Sequence, residues 1–512
     1  MKKFKTLTHN GPVFPKPYQY QKLSVIVNGK SFILSPLAEE MLYAFAKKHN
    51  TEYVNDSVYV KNFWNDFKKE IPSELKNTEF PKDWFFGNMI SFFEKEKETV
   101  KNRTKKEKEH IKEEKEQIKE KHGYAIVDGE KLELANFTIE PAGIYQGRGK
   151  HPKRGCWKTQ VQPEDITINC TSDIPNPPEG HKWKEVISNT KGLYICYWFE
   201  NVMNCRKVVM FSRTSSIIQK KEEKKFDVGL NVVKNWDRIK NHIERGLISS
   251  DIEIKETATV CKLIMDLGIR VGDEKGKDEA DTVGATTLKK RNVSIEGNSL
   301  TLDFIGKDSI KYHNTVNVEP ILVTNIKTFM NHSSNELLFP DVNSTTVRNY
   351  LRQGFGEISA KNFRTAKASK LMSEKLNVNG KDDMMIFKEA TIEVAKLLNH
   401  KKTVGKNFKE GMDKIKIRME ELMEKKETVN DKRKKGLNKK IRILKMRLEL
   451  KKKTKDVSPS TSLTNYIDPR IVISWCKERN VELTKVYTKT LLKKFDWATN
   501  TEKGFYKNYL IK

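Results

Sequence analysis

The sequence predicts an α+β protein of several domains: a mixed α/β and β-rich N-terminal half, a mostly helical second half, and an antiparallel coiled-coil hairpin near the C-terminal end. Three observations predict it. The chain has 512 residues, and a single hydrophobic core rarely grows beyond roughly 250 to 300. Apolar spacing changes along the chain from short runs punctuated by Gly, Pro and Asn to three- and four-residue steps. Residues 401–455 are highly charged and carry two separate apolar stripes at helical spacing.

From Phe4 to about Phe93, turn signals such as Asn28-Gly29 alternate with helical stretches such as Pro36 to Lys47, where Leu37, Met41 and Phe45 recur at helical spacing. This reads as a compact α/β unit. Glu94 to Lys121 is almost wholly Glu and Lys, with only Val100, Ile111 and Ile118 to bury, and is expected to form a solvated helix laced with i,i+4 charge pairs. From Gly123 to about Thr214 short β-like runs dominate, among them Tyr194 to Phe199 and Lys207 to Phe211. Val228 to Leu247 and Lys255 to Leu267 return to helical periodicity. Leu300, Leu302 and Phe304 then alternate with polar residues ahead of the turn Gly306-Lys-Asp-Ser309, with a second alternating run through Val316 and Val318, so Lys307 is expected at a hairpin tip. Helices resume from about Thr345 to His400.

In 401–455 the first stripe is Phe408, Met412, Ile415, Met419 and Leu422, and the second Leu437, Ile441, Leu444 and Leu448, with a break near Asn430-Asp431. A joint at Val457 to Ser462 leads to a small C-terminal unit with Trp475, Tyr487, Phe495 and Trp497 as core candidates.

Charge narrows the function classes. Lys plus Arg number 97 against 68 Asp plus Glu, a net charge of +29, and a chain this basic seeks a polyanion, with nucleic acid the default. It contains no apolar run of about 18 residues to span a membrane, and Met1 to Tyr20 lacks the pattern of a secretory leader, so an intracellular protein is expected. The six cysteines show no C-x-x-C pair or zinc spacing and the ten histidines are scattered, so no metal or cofactor is expected. Asn28-Gly-Lys-Ser31 resembles the end of a P-loop, but that motif needs a glycine where Ser24 stands.

Several basic residues sit at ordered positions: Arg270 closing a helical run, Lys307 on the hairpin, Arg364 within a helix and His400 at a helix end. Singly each has an ordinary explanation, as a cap or ion pair to Asp273 or Glu274, a turn lysine, a surface charge, or a dipole-compensating histidine. Their surroundings say more. Leu267-Gly-Ile-Arg-Val-Gly-Asp-Glu-Lys275 with Ala280-Asp-Thr-Val-Gly284, Phe304-Ile-Gly-Lys-Asp-Ser-Ile-Lys-Tyr312, Lys361-Asn-Phe-Arg-Thr365, Leu398-Asn-His-Lys-Lys402 and Leu463-Thr-Asn-Tyr-Ile-Asp-Pro-Arg470 resemble, in order, the catalytic motifs of eukaryotic type IB DNA topoisomerases. The resemblance extends upstream through His9-Asn-Gly-Pro-Val-Phe14, Gly143-Ile-Tyr-Gln-Gly-Arg-Gly-Lys-His-Pro-Lys153 and Pro178-Glu-Gly-His-Lys-Trp-Lys-Glu185, covering essentially the whole chain.

The resemblance implies a bilobed clamp around duplex DNA: a β-rich core subdomain (residues 1–20 and 105–214), a mixed α/β cap (21–104), a mostly helical, tyrosine-recombinase-like catalytic domain (215–402), a coiled-coil linker (403–456) and a C-terminal domain (457–512). It makes Tyr466 the nucleophile that becomes joined to a 3′ phosphate, with Arg270, Arg364 and His400 on the non-bridging oxygens and Lys307 as the acid protonating the leaving 5′ oxygen. Cation-rich surroundings suit both tasks: rigid Arg forks match the charge of a pentacoordinate phosphate, and a phenol of pKa about 10 needs cations to favour its phenolate at pH 7. A lysine can act as an acid once desolvation and neighbouring arginines lower its pKa.

Positions matching DNA or inhibitor contacts are Arg148, Lys150, His151, Asp308 and Asn465, which implies sensitivity to camptothecin-type poisons. The basic run Lys432-Arg-Lys-Lys435 is expected to brush DNA and slow its rotation. The enzyme so implied is a monomer that relaxes supercoils without ATP or metal. Two departures stand out: the resemblance begins by about Lys3, without the family's long charged N-terminal tail, and the coiled coil is short. Localisation is therefore nuclear by family, with a viral or other intracellular DNA compartment as the alternative. Two other readings remain at this stage, a tyrosine recombinase, which would exchange strands at paired sites, and a non-catalytic DNA clamp.

Overall fold

The computed structural model describes residues 2–272, 282–332, 336–378, 382–405 and 407–510. They form two compact units, one reaching to Ile218 and one beginning at Gln219. The architecture is mixed α/β and multidomain, as the sequence predicts.

In the first unit the chain runs through β1 (Leu7–His9), β2 (Ser24–Val27), β3 (Lys30–Ile33), α1 (Pro36–Ala46), α2 (Ser57–Glu70) and β4 (Trp84–Phe85). Asn28 and Gly29 join β2 to β3 with positive φ at both positions, the geometry of a two-residue hairpin turn. Lys30 and Ser31 thus open a strand, where a P-loop would require a helix. Helix α1 starts where Ser35 caps the Ala38 amide and Pro36 occupies the first turn. Phe45, Phe63 and Phe80 meet at ring separations of 4.7 to 5.4 Å, and with Phe67 and Trp84 they form an aromatic core.

The charged stretch that follows departs from the single helix expected. It is divided between α3 (Gly87–Asn102) and α4 (Lys105–His122). Thr104 accepts from the Glu107 amide while Glu107 reaches back to the Thr104 amide, a capping box that starts a new helix. Val100 and Ile118 stay exposed, and α4 buries no residue.

The strands that follow are β5 (Tyr124–Val127), β6 (Glu130–Glu133), β7 (Gly143–Ile144), β8 (Trp157–Lys158), β9 (Thr167–Asn169), β10 (Glu185–Ile187), β11 (Tyr194–Phe199) and β12 (Arg206–Met210). They make a β1-β5-β6 sheet, a β7-β8 pair and a β10-β9-β11-β12 sheet whose first pairing alone is parallel. A second core of Phe4, Leu7, Ile168, Ile195, Trp198 and Phe211 lies here.

The second unit is dominated by helices. It opens within α5 (Ser216–Lys234) and continues through α6 (Trp236–Leu247) and α7 (Ile252–Leu267). Three antiparallel strands follow, β13 (Val293–Glu296), β14 (Ser299–Gly306) and β15 (Ile310–Asn317), with Lys307 in the tight turn between the last two. Helices α8 (Pro320–His332), α9 (Ser344–Arg352), α10 (Ala360–Leu376) and α11 (Asp383–Leu397) come next.

An antiparallel helical pair follows, α12 (Phe408–Glu427) and α13 (Asp431–Lys453), with Lys451 over the Phe408 ring. Leu422 and Ile441 are its buried centre, and Asn430 caps α13 beside the expected break. Lys402 donates to the Asp456 carbonyl at 2.8 Å, and Ser458 to that of His400 at 2.7 Å, closing the base of the pair.

The chain ends with α14 (Pro459–Asn465), α15 (Pro469–Arg479) and short turns to Tyr509. One core runs from Val232 to Tyr509 and takes in Phe363, Trp475, Tyr487 and Phe495, so the C-terminal segment is packed into the catalytic-motif helices. Trp497 is half-buried against the same core, stacked on Phe226 with Arg470 over its ring.

Candidate active site

Within the second unit, α7 ends at Gly268, whose φ of 62° is a left-handed cap. The chain turns into an extended segment carrying Arg270. Its carbonyl accepts from Ala285 at 2.8 Å and that of Val271 from Thr286 at 2.7 Å, and Val283 in turn donates to Ile305 at 2.8 Å. Arg270 is thereby tied to the β14–β15 hairpin that carries Lys307. The crossing is tight: a Cβ on Gly284 would stand 2.4 Å from the Gly272 backbone, so glycine is required there. Asp273 and Glu274, named above as alternative partners for Arg270, lie outside the described residues.

Arg364, from the first half of α10, is almost fully buried. Its guanidinium donates to the Gly268 carbonyl and, at 3.1 Å, to that of Leu398, fastening the ends of α7 and α11 together. It also stands 5.1 Å from the centre of the Tyr466 ring and 3.4 Å from His400 Nε2. His400 follows the left-handed Asn399, whose amide side chain reaches the Lys311 carbonyl of β15 at 3.3 Å. The imidazole packs against the Tyr466 ring at 5.1 Å and its Nδ1 lies 2.7 Å from Ser462 Oγ. Tyr466 caps the C-terminal end of α14 and is 8% exposed. Arg270, Lys307, Arg364 and His400 line one cavity of about 120 Å³ together with Thr461 and Tyr312.

The site is electrostatically uneven. Burial, reinforced by Arg364 and Arg270, drives the His400 pKa down to about 3, so its ring is neutral at physiological pH. Burial would raise the Tyr466 phenol, but Arg364 and Arg270, with Lys361 beyond them, outweigh it and hold the pKa below its ordinary value of 10. A phenol eased toward its phenolate beside a neutral imidazole and two guanidiniums suits attack on an anionic ester. Lys307 is exposed at its turn, contrary to the desolvation anticipated for it. Among the described residues no cluster of His, Cys, Asp or Glu is placed to hold a metal ion.

Sequence reasoning missed the residues that hold Tyr466 in place. Ser369 Oγ, from α10, donates to the Tyr466 carbonyl at 3.3 Å and accepts from the Asp468 amide at 3.0 Å. Asp468 is fully buried: it caps α15, takes a bidentate pair of bonds from Arg470 and accepts from the Tyr509 hydroxyl at 2.7 Å. Lys494 and Lys225 reach the carbonyls of Thr464 and Asn465 at 2.5 and 3.3 Å, with Glu222 between the two ammonium groups. Asp468-Pro469 is a helix-start signal, so the α15 cap was findable, but the lysine pair comes from distant segments and left no local trace.

Asn465 adjoins Tyr466 and donates to the Thr461 carbonyl at 3.2 Å. The backbone of Asp308 lies in the hairpin tip, while its side chain is outside what is described. Arg148, Lys150 and His151 belong to the first unit, in the loop between β7 and β8. Gly147 and Gly149 both adopt positive φ there, presenting Arg148 and Lys150 on the exposed face. His151 is buried beneath them, its ring edge-on to Tyr145 at 5.1 Å and its Nδ1 accepting from the Lys153 amide.

Comparison with known proteins agrees along the chain. Residues 2–211 match the family model of the eukaryotic DNA topoisomerase I DNA binding fragment, 214–433 that of the catalytic core, and 438–507 that of the C-terminal topoisomerase domain. DNA topoisomerase 1 of Homo sapiens is 34% identical over 97% of this chain, which covers 71% of that protein. DNA topoisomerase 1 beta of Arabidopsis thaliana is 34% identical over 98% of the chain and 59% of its own length, and DNA topoisomerase 1 of Drosophila melanogaster 32% identical over 97% and 54%. With Arg364 and His400 against one buried tyrosine beside the cavity that Arg270 and Lys307 line, and these matches spanning nearly its whole length, the chain belongs to the eukaryotic DNA topoisomerase I family.

Proposed function

We propose that this type IB DNA topoisomerase relaxes positive and negative supercoils by cutting one strand of duplex DNA with Tyr466. The observation that carries the reading is the clustering of Tyr466 with Arg364 and His400 beside a cavity that Arg270 and Lys307 also line. The Tyr466 phenol releases its proton to water and its oxygen attacks the phosphorus, the bond to the 5′ oxygen breaks, and Lys307 gives a proton to that departing 5′ oxygen. Arg270, Arg364 and a neutral His400 donate to the non-bridging oxygens as charge builds on them. The exposed Lys307 loses its water when the substrate covers the hairpin tip. The 3′-phosphotyrosyl ester conserves the energy of the cut bond, so the free 5′ end can rotate and be rejoined without ATP, and the cations perform the charge stabilisation that a metal ion would otherwise supply.

The first unit, which matches the DNA binding fragment, completes the family's clamp as core subdomain (residues 1–20 and 105–214) and cap (21–104). Residues 215–402 form the catalytic domain, 403–456 the linker and 457–512 the tyrosine-bearing domain. In this reading Lys432 to Lys435 at the start of α13 contact rotating DNA, the enzyme acts as a monomer in the nucleus, and Arg148, Lys150, His151, Asp308 and Asn465 line the DNA or a camptothecin-type poison. The test is SDS trapping on oligonucleotides labelled at either end of the cut strand. A protein adduct on the 3′ phosphate with a free 5′ hydroxyl supports the reading; a 5′-linked adduct, or none, refutes it. The same assay reads poison sensitivity as an increase in trapped adduct.

A further inference from the structure

Ser462 lies in α14, fully buried, one helical turn ahead of Tyr466. Its hydroxyl is 2.7 Å from His400 Nδ1. Its carbonyl accepts the amides of Tyr466 at 2.9 Å and Ile467 at 3.1 Å. One residue therefore holds the imidazole by its side chain and the tyrosine by its backbone. The remaining ring nitrogen, Nε2, is turned toward Arg364 and the cavity.

We propose that Ser462 is a positioning residue that fixes the His400 imidazole relative to the Tyr466 nucleophile. The inference rests on the reading of His400 as a phosphate-holding group. A neutral imidazole has one N–H, and its direction is set by whatever bonds the opposite nitrogen. The groups facing His400 from neighbouring elements are Arg270, Arg364 and the Tyr466 phenol, and among the described residues it is Ser462 that bonds Nδ1. A serine hydroxyl can donate to Nδ1 or accept from it, so it steadies the ring in either tautomer. A carboxylate there would favour the imidazolium instead. The backbone bond from Ser458 to the His400 carbonyl at 2.7 Å holds only the main chain, and while Tyr466 and Arg364 flank the ring, the Ser462 hydroxyl is what bonds its Nδ1 edge.

The test is a double-mutant cycle on single-turnover cleavage of a duplex oligonucleotide by the full chain, with Ser462→Ala, His400→Gln and the double variant. Ser462→Ala keeps the carbonyl that holds Tyr466 and removes only the anchor of the ring. Cleavage is expected to slow about tenfold, the loss of one oriented hydrogen bond, and Ser462→Thr, which keeps the hydroxyl, to recover most of it. In the His400→Gln background Ser462→Ala is expected to add less than about a twofold loss, because a residue acting through another has no effect once that other is gone. An equal penalty in both backgrounds, or no penalty in the wild type, overturns the inference. Cleavage by His400→Gln at the wild-type rate instead overturns the reading of His400 on which it rests, and cleavage by Tyr466→Phe overturns the reading of the whole site.

Discussion

Arg364 combines two tasks that substitution can separate. Its fork ties the Gly268 and Leu398 carbonyls together, and its charge sits against the Tyr466 ring. At 5.1 Å from the ring centre, and with an effective dielectric of about 20, a guanidinium stabilises a phenolate by about 3 kcal/mol, on the order of a hundredfold in cleavage rate if fully expressed. Both groups are more than nine-tenths buried, so solvent screening does little to reduce it. Arg364→Gln removes the charge and leaves a donor. Cleavage near pH 7.5 is expected to fall about a hundredfold, and to climb more steeply than wild type as the pH rises, because burial of Tyr466 is then opposed by fewer cations and its pKa moves up. Arg364→Lys keeps the charge but cannot donate to both carbonyls in the same geometry. It is expected to lose less activity and about 1.5 to 3 kcal/mol of local stability, the worth of one charge-assisted bond. Single-turnover cleavage from pH 7 to 10 is the assay. A Gln variant that cleaves within about threefold of wild type, or with an unchanged pH profile, would refute the reasoning.

The remaining predictions concern the acid and the supports of the site. Lys307→Ala should slow cleavage by about a hundredfold or more, and a substrate with sulfur in place of the bridging 5′ oxygen, whose thiolate departs without a proton, should restore most of it; the same deficit on both substrates would remove Lys307 as the acid. Asp468→Ala should destabilise residues 458–510 by about 2 to 4 kcal/mol through loss of the α15 cap and of charge-assisted bonds from Arg470, which keeps Asp227 as a partner, and Asp468→Asn by about 1 kcal/mol less because it keeps the cap; equal hydrogen-exchange rates in the two variants would contradict this. Glu222 is opposed by burial, which raises its pKa, but Lys225 and Lys494 prevail and hold it below the usual 4.5. Its stabilisation is therefore present above about pH 4.5 and is lost as the pH falls through the lower folded-state value. The gap in stability between wild type and Glu222→Gln should close on acidification, and a gap independent of pH would refute that assignment.

Much of the helical framework and the hairpin carrying Lys307 could be read before any coordinates, because apolar periodicity is local and both stripes of the α12–α13 pair are unbroken. The break between α3 and α4 has a local signal in Thr104 and Glu107, a capping box set within an otherwise uniform run of Glu and Lys. For the site, composition pointed only to a polyanion, and it was the motif order that singled out Arg270, Lys307, Arg364, His400 and Tyr466. The contacts that position them were hidden. The Gly268 and Leu398 carbonyls under Arg364 are backbone groups without a sequence signature. Glu222, Lys225 and Lys494 meet only because α5 and the C-terminal segment share a core, and Ser462 looks like any serine in a polar joint until His400 is placed beside it.

The most direct test of the central claim is relaxation of supercoiled plasmid in EDTA without nucleotide, wild type beside Tyr466→Phe, with covalent adduct trapped by SDS. Relaxation and adduct in the wild type, both lost in the variant, are the predicted result. Relaxation by the variant at the wild-type rate, or an adduct at any other residue, would contradict it.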